Sequence, residues 1–175
     1  MWVCKKGVVM PKLKGKPVSL KGPLPSLHSK APSFSLVDQH LKDRSSEEFS
    51  GKKVLLSTVP SVDTETCSRM TKRINAFAKE HPNIICLVVS ADLPFAQKRF
   101  CQMEKVENML TLSMMRDQKF AEDYGILIAE GPLKGLLTRA LFIIGPQGSM
   151  DYIQIVDEIT EEPSYEEAFS KLKHL

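Results

Sequence analysis

The chain has 175 residues, 42% hydrophobic and 26% charged, which suits one soluble domain over residues 1–175 with a full core. No apolar run is long enough to cross a bilayer, and no apolar stretch around Met1-Trp2-Val3-Cys4-Lys5-Lys6 makes an export signal or a lipoprotein anchor, so a cytoplasmic location without membrane contact is expected. The net charge of +3 is uneven: residues 1–37 carry seven Lys and no Asp, Glu or Arg, which leaves 17 of the 24 basic residues against all 21 acidic ones for the rest.

A basic arm can touch nucleic acid or an anionic surface. Here the lysines alternate with Val, Leu and Pro, the pattern of an exposed strand edge kept soluble by charge. Aromatic interleaving and nucleic-acid motifs are missing, so no nucleic-acid partner is expected. The four cysteines (4, 67, 86 and 101) lack CxxC spacing, and the four histidines (28, 40, 81 and 174) are scattered. Zinc sites bring clustered spacings, so no metal site is expected. A reducing compartment disfavours a permanent disulfide but allows a transient, catalytic one.

In chain order, residues 1–30 read as a β-hairpin and a Pro-rich extension. Gly7–Lys14 and Pro17–Leu20 flank a turn at Gly15-Lys16. Phe34–Val37 is a short strand, and Ser45-Ser46 before Glu47-Glu48-Phe49 predicts a capped turn of helix. Lys53–Val59 is a buried strand stopped by Pro60. Thr64–Glu80 is a helix, because Met70, Ile74, Phe77 and Ala78 share one face, and Asp63 or Thr64 caps it. Asn83–Ser90 is apolar enough for the middle of a parallel sheet. Asp92 and Pro94 open a helix to about Glu104. Leu110–Ser113 is a strand, and Asp117–Tyr124 a short helix closed by Gly125. The segment 126–137 reads as a loop. Arg139–Ile144 and Asp151–Val156 form a hairpin about Gly145–Ser149. Pro163 starts the last helix, with Tyr165, Ala168, Phe169 and Leu172 facing inward. A βαβ unit followed by ββα is the order of an α/β, thioredoxin-like fold with a mixed central sheet. A right-handed crossover puts the N-terminus of the Thr64 helix at the carboxyl end of the Lys53 strand, where α/β sheets favour sites.

Cys67 falls in the first turn of that helix. Unsatisfied N–H groups at a helix start favour an anion. A thiol there ionises more readily, and the thiolate is the nucleophile. Thr64 can aim its hydroxyl at the sulfur or at a bound oxygen, or act as a plain cap. Pro60 can restrict the loop and limit water. Alone, such a cysteine is equally consistent with a buried structural residue.

The string Pro60-Ser61-Val62-Asp63-Thr64-Glu65-Thr66-Cys67 fits the P-x-x-x-T-x-x-C pattern and resembles the thiol peroxidase branch of the peroxiredoxins. The resemblance continues through Ser90-Ala91-Asp92-Leu93-Pro94-Phe95-Ala96-Gln97, Arg99-Phe100-Cys101, Gly131-Pro132-Leu133-Lys134-Gly135-Leu136, Arg139-Ala140 and Val156-Asp157-Glu158-Ile159. It spans about residues 15–172. It implies that Cys67 is the peroxidatic cysteine and Cys101 the resolving one, with Thr64, Arg139 and Pro60 as active-site residues. It implies a thioredoxin-dependent, antioxidant hydroperoxide reductase acting through a Cys67–Cys101 disulfide. It also implies a homodimer and no metal, haem or flavin cofactor. Glutathione or a glutaredoxin-like donor can stand in for thioredoxin.

The residues agree with that chemistry. Charge builds on the oxygens during attack, and Arg139, a permanent planar cation, suits its stabilisation. A surface ion pair is the plainer role for an arginine, but Arg139 directly precedes the apolar run ALFII. A sulfenic acid on Cys67 can condense with a thiol. The two cysteines lie on different predicted helices, and a disulfide needs Cα atoms within roughly 7 Å, so local unwinding is expected. Cys86 reads as core, and Cys4 as a bystander. Met109, Met114 and Met115 read as adaptable core packing rather than as a substrate groove. A dithiol oxidoreductase reading is weak, since position 70 is Met and completes no CxxC. A peroxide-sensing switch using the same disulfide is the alternative; it needs one oxidation per signal, whereas an enzyme must turn over.

Overall fold

The computed structural model describes residues 10–175; Cys4 and the first part of the predicted hairpin lie outside the described residues. The hairpin itself is short: β1 (Lys12–Leu13) pairs with β2 (Lys16–Pro17), Leu13 opposite Lys16. Its turn is therefore Lys14-Gly15, one residue earlier than the sequence suggested. Both turn residues have positive φ, +52° and +78°. A two-residue hairpin loop needs that geometry, and glycine supplies it without strain.

Next come β3 (Leu20–Lys21), β4 (Ser35–Asp38) and β5 (Asp43–Ser45). One turn of 3-10 helix follows at Ser46–Phe49, closed by a capping box between Ser45 and Glu48. Strand β6 (Lys53–Thr58), helix α1 (Glu65–Glu80) and strand β7 (Ile84–Ser90) make the βαβ unit. Then come α2 (Pro94–Glu104), β8 (Leu110–Ser113), α3 (Lys119–Asp123) and β9 (Leu127–Ile128). Strands β10 (Ala140–Ile144) and β11 (Met150–Ile155) form the second hairpin, and α4 (Tyr165–His174) closes the chain. This last helix begins after Ser164 as N-cap, two residues later than the Pro163 start suggested by the sequence.

Seven strands form one mixed sheet in the order β11-β10-β6-β7-β8-β4-β5. The central β6, β7 and β8 are parallel, and the outer strands pair antiparallel. Strand alternation divides the apolar side chains between two faces. On one face Leu55, Val88, Leu141 and Ile143 pack with Met70, Ile74 and Phe77 of α1 and Leu172 of α4. On the other, Leu56, Leu87, Val89 and Phe142 pack with Phe120 and Tyr124. Covering both faces explains why β6 and β7 are apolar almost throughout. Of the three methionines expected to pack, Met109 and Met114 are buried and Met115 is partly exposed.

Two strands escaped the sequence reading. β5 is polar (Asp-Arg-Ser) and, among the described residues, pairs with β4 alone. β9 lies in the Gly- and Pro-bearing segment 126–137 and pairs with β3, Leu20 opposite Ile128. Among the described residues, no helix is long and apolar enough to cross a membrane.

Candidate active site

Strand β6 ends where the Val59 N–H bonds to the Val89 carbonyl at 3.0 Å, and Pro60 turns the chain away, buried. The loop that follows is tied down by Asp92 at the entry to α2. Its carboxylate accepts from the Ser61 hydroxyl (2.8 Å), the Val62 N–H (2.7 Å) and the Ser90 hydroxyl (2.7 Å). Thr64, not Asp63, is the N-cap: its Oγ1 accepts from the Cys67 N–H at 3.4 Å. The hydroxyl proton of Thr64 stays free to donate elsewhere. Cys67 thus sits in the first turn of α1, as predicted.

The Cys67 side chain has no exposure to solvent. Burial alone would fit a structural thiol; the neighbour of its sulfur does not. Arg139 Nη2 donates to Cys67 Sγ at 3.3 Å. Arg139 is only 2% exposed, so a guanidinium cation is held inside the protein against the sulfur. Its fork is fixed by three further bonds. Nε and Nη2 donate to the Ile159 carbonyl at 3.2 and 3.1 Å, and Nη1 meets Met70 Sδ at 3.4 Å. Among the described residues no carboxylate pairs with Arg139. Burying a cation in this way is costly, and its side-chain neighbours are the sulfurs of Cys67 and Met70. Hydrogen bonds thus link Thr64, Cys67 and Arg139, and Pro60 follows the carboxyl end of β6.

Cys101 is engaged elsewhere. It lies on α2 in the same core cluster as Cys67, but its sulfur contacts Thr111 Oγ1 on β8 at 3.6 Å. Burial pushes its thiol up, and the Thr111 contact offsets this in part. Cys86, mid-strand in β7, is pushed up to about 12 by burial and is inert core. Cys67, Cys86 and Cys101 are all free thiols. A cavity of about 480 Å³ opens between the loop and α2, lined by Thr64, Ser68, Asp92, Arg99, Phe100 and Met103. Cys67 does not line it, although Thr64 and Ser68 do.

Residues 27–169 match the family described as Redoxin. The thiol peroxidases of Mycobacterium bovis and Mycobacterium tuberculosis (strain H37Rv) are each 45% identical to the chain over 161 residues, 91% of this chain and 96% of theirs. The chain belongs to the redoxin family, among its thiol peroxidases. Of solved structures, a peroxiredoxin-like protein from Aquifex aeolicus matches with a TM-score of 0.90 at 40% identity, covering 95% of this chain and 96% of that one. A thiol peroxidase from Chromobacterium violaceum shares the fold at a TM-score of 0.86, with 24% identity over 94% and 95%. The thioredoxin-like α/β fold expected from the element order is the fold of this family.

Other contributors were invisible in the sequence. Ile159 acts through its carbonyl, which every residue possesses. Met70 reads as one more apolar position of α1, yet its sulfur touches Arg139. Asp92 reads as a helix opener, while two of its three partners, Ser61 and Val62, lie 31 and 30 residues upstream. Asp92→Ala leaves the Ser61 and Ser90 hydroxyls and the Val62 N–H without their acceptor. Bonds to a charged acceptor are the stronger kind, so a loss of about 2–4 kcal/mol is expected. Denaturant unfolding checks this; an unchanged midpoint would show that the carboxylate does not hold the loop.

Proposed function

We propose that Cys67 is the peroxidatic cysteine of this thiol peroxidase, that Arg139 and Thr64 serve its attack, and that Cys101 resolves the product. The observation that carries the reading is the buried Arg139 Nη2 to Cys67 Sγ contact at 3.3 Å. In the first step the Cys67 thiolate attacks the terminal oxygen of a hydroperoxide. An S–O bond forms, the O–O bond breaks, and an alkoxide or hydroxide leaves and takes a proton. Cys67 becomes a sulfenic acid. Negative charge passes from sulfur to the oxygens, and a fixed cation beside both needs no reorganisation to follow it. The Thr64 hydroxyl, its oxygen already occupied by the Cys67 N–H, donates to the peroxide. The cavity against Thr64 and Ser68 offers the approach, and Pro60 keeps bulk water from the loop.

In the second step the Cys101 thiol attacks the Cys67 sulfenic acid. A disulfide forms and water leaves. A dithiol donor, thioredoxin in this reading, then returns both thiols. Each sulfur is held by a different partner, Arg139 or Thr111, which supports local unwinding before the bond closes. The homodimer belongs to the same reading. Leu93, Phe95 and Met103, exposed on and beside α2, offer it an apolar surface, to be checked by light scattering of wild type and Phe95→Glu. A location in the cytoplasm and a one-unit chain are parts of it too.

The raised Cys101 thiol gives the second step a pH dependence. A thiol whose folded value is raised favours the held conformation while protonated. That contribution is full below the ordinary thiol range of about 8.5 and fades as pH rises toward the folded value. Disulfide closure after oxidation is therefore expected to accelerate above about pH 8.5. Rapid quench and mass analysis across that range is the check, and a flat rate would contradict it. Catalytic turnover with thioredoxin separates the enzyme from a peroxide-sensing switch, which would be oxidised once and then stall.

A further inference from the structure

The stretch 157–162 crosses the active site as a strap of irregular backbone. Three of its residues, Ile159, Thr160 and Glu162, bond to Arg139 or to side chains of α1 and α4. The Ile159 carbonyl takes two bonds from Arg139. The Thr160 carbonyl accepts from Thr66 Oγ1, one residue before Cys67, at 3.1 Å. Glu162 takes Arg69 Nε at 2.9 Å and the Tyr165 hydroxyl at 2.7 Å. Among the described residues the strap joins no extended strand pairing, and its ladder contact is a single parallel bridge between Lys12 and Glu158. Its position must come from elsewhere.

We propose that Glu158 is a positioning residue: it anchors the strap to the turn of the N-terminal hairpin and so sets where the Arg139 guanidinium stands. The inference rests on the reading of Arg139 as the cation that serves Cys67. Glu158 Oε1 accepts from the Lys14 N–H at 3.0 Å, and Oε2 from the Gly15 N–H at 2.9 Å. Two successive N–H groups of a positive-φ turn make a concave donor pair suited to one carboxylate. Glu158 Oε1 also accepts from the Thr160 hydroxyl at 2.9 Å and the Thr160 N–H at 3.3 Å, folding the strap back on itself around Ile159. On either side, the Lys12 N–H bonds to the Asp157 carbonyl and the Ile159 N–H to the Lys12 carbonyl, at 2.6 and 2.8 Å. The Ile159 side chain is buried with Val18 and Ile128, which lie beyond β2 and in β9.

The carboxylate is well seated. Desolvation raises it, but the N–H groups of Gly15 and Lys14 and the Thr160 donors outweigh that and bring it down to about 2. The chain of contacts is then short: hairpin turn, Glu158, Ile159 carbonyl, Arg139, Cys67. Displacement of the strap moves the acceptor of two of the fork's donors. Small misplacements of a catalytic group are felt strongly in rate.

The test uses the full chain and hydrogen peroxide. Single-turnover oxidation of Cys67 is timed in wild type, Glu158→Ala, Arg139→Ala and the double variant. Glu158→Ala is expected to slow oxidation roughly tenfold and to have no further effect once Arg139 is gone, because it acts through Arg139. Equal slowing by Glu158→Ala in both backgrounds, or none in the wild-type background, overturns the proposal. If Arg139→Ala alone leaves the rate unchanged, the reading of Arg139 fails instead, which is a distinct result. A second readout needs neither alanine variant to fold. In Glu158→Gln, the NMR resonance of the Arg139 Nε–H is expected to shift and to exchange faster with solvent. An unmoved Nε–H resonance would sink the proposal, since a carboxylate that merely braces the hairpin would leave it untouched.

Discussion

Arg139→Met is expected to cut the rate of Cys67 oxidation by about 10²–10³-fold while leaving the protein close to its normal stability. The two halves of this result have separate causes. Methionine fills much of the same space but supplies no donor and no charge to oxygens that become anionic during attack. On the stability side, the buried guanidinium has a carbonyl and two sulfurs as partners rather than a carboxylate. Removing a buried cation without an acidic partner relieves a desolvation cost, and apolar replacements of buried charges are often neutral or stabilising. Against this, the Ile159 carbonyl loses both donors, at a cost of about 1–3 kcal/mol. The net is expected within about 2 kcal/mol of zero. Stopped-flow oxidation and denaturant unfolding of the same sample decide it. An unchanged rate would remove Arg139 from the chemistry, and collapse of the fold would make it a structural residue.

Cys67→Ser is expected to lose at least ~10³-fold in peroxide turnover, whereas Cys101→Ser should keep the first oxidation and lose the rest. Serine at 67 still packs in the first turn and can still meet Arg139, but a neutral hydroxyl does not attack peroxide at ordinary pH. In Cys101→Ser the sulfenic acid has no thiol on α2 to meet. It is then open to further oxidation or to a bond with a second molecule. Coupled turnover with thioredoxin, together with the mass of each variant after one equivalent of peroxide, separates these outcomes. Retained turnover in Cys67→Ser would mean that another cysteine is the nucleophile.

What the sequence disclosed was local and periodic. The α1 face of Met70, Ile74 and Phe77 and the start of the helix at Thr64 were legible because period and cap residue coincide. The apolar runs of β6 and β7 announced strands buried on both faces. Polar β5 and the two-residue β9 carry no such signal; partners distant in sequence create them. The hairpin turn slipped by one residue because Lys14 and Lys16 flank Gly15 symmetrically in composition, and only the pairing chooses between them. At the site, Cys67 and Arg139 were legible as residue types in a pattern. The Ile159 carbonyl was not, because backbone acceptors have no sequence signature. The Asp92 tie was hidden because it links the Cys67 loop to the opening of the Cys101 helix across a strand and a helix.

That tie also frames the redox cycle. Asp92 holds the loop of one cysteine against the entry of the helix that carries the other, while each sulfur faces its own partner. In the proposed cycle the held state therefore suits the first step and opposes the second. Oxidation is expected to begin at Cys67 and to end in a bond to Cys101. Wild-type protein treated with one equivalent of hydrogen peroxide and mapped by mass spectrometry under non-reducing conditions tests it most directly. The predicted result is loss of two hydrogens and a single linked peptide pair joining Cys67 to Cys101, with Cys86 still a thiol. A linkage that leaves out Cys67, or a stable oxygen adduct with both Cys67 and Cys101 unlinked, would contradict it.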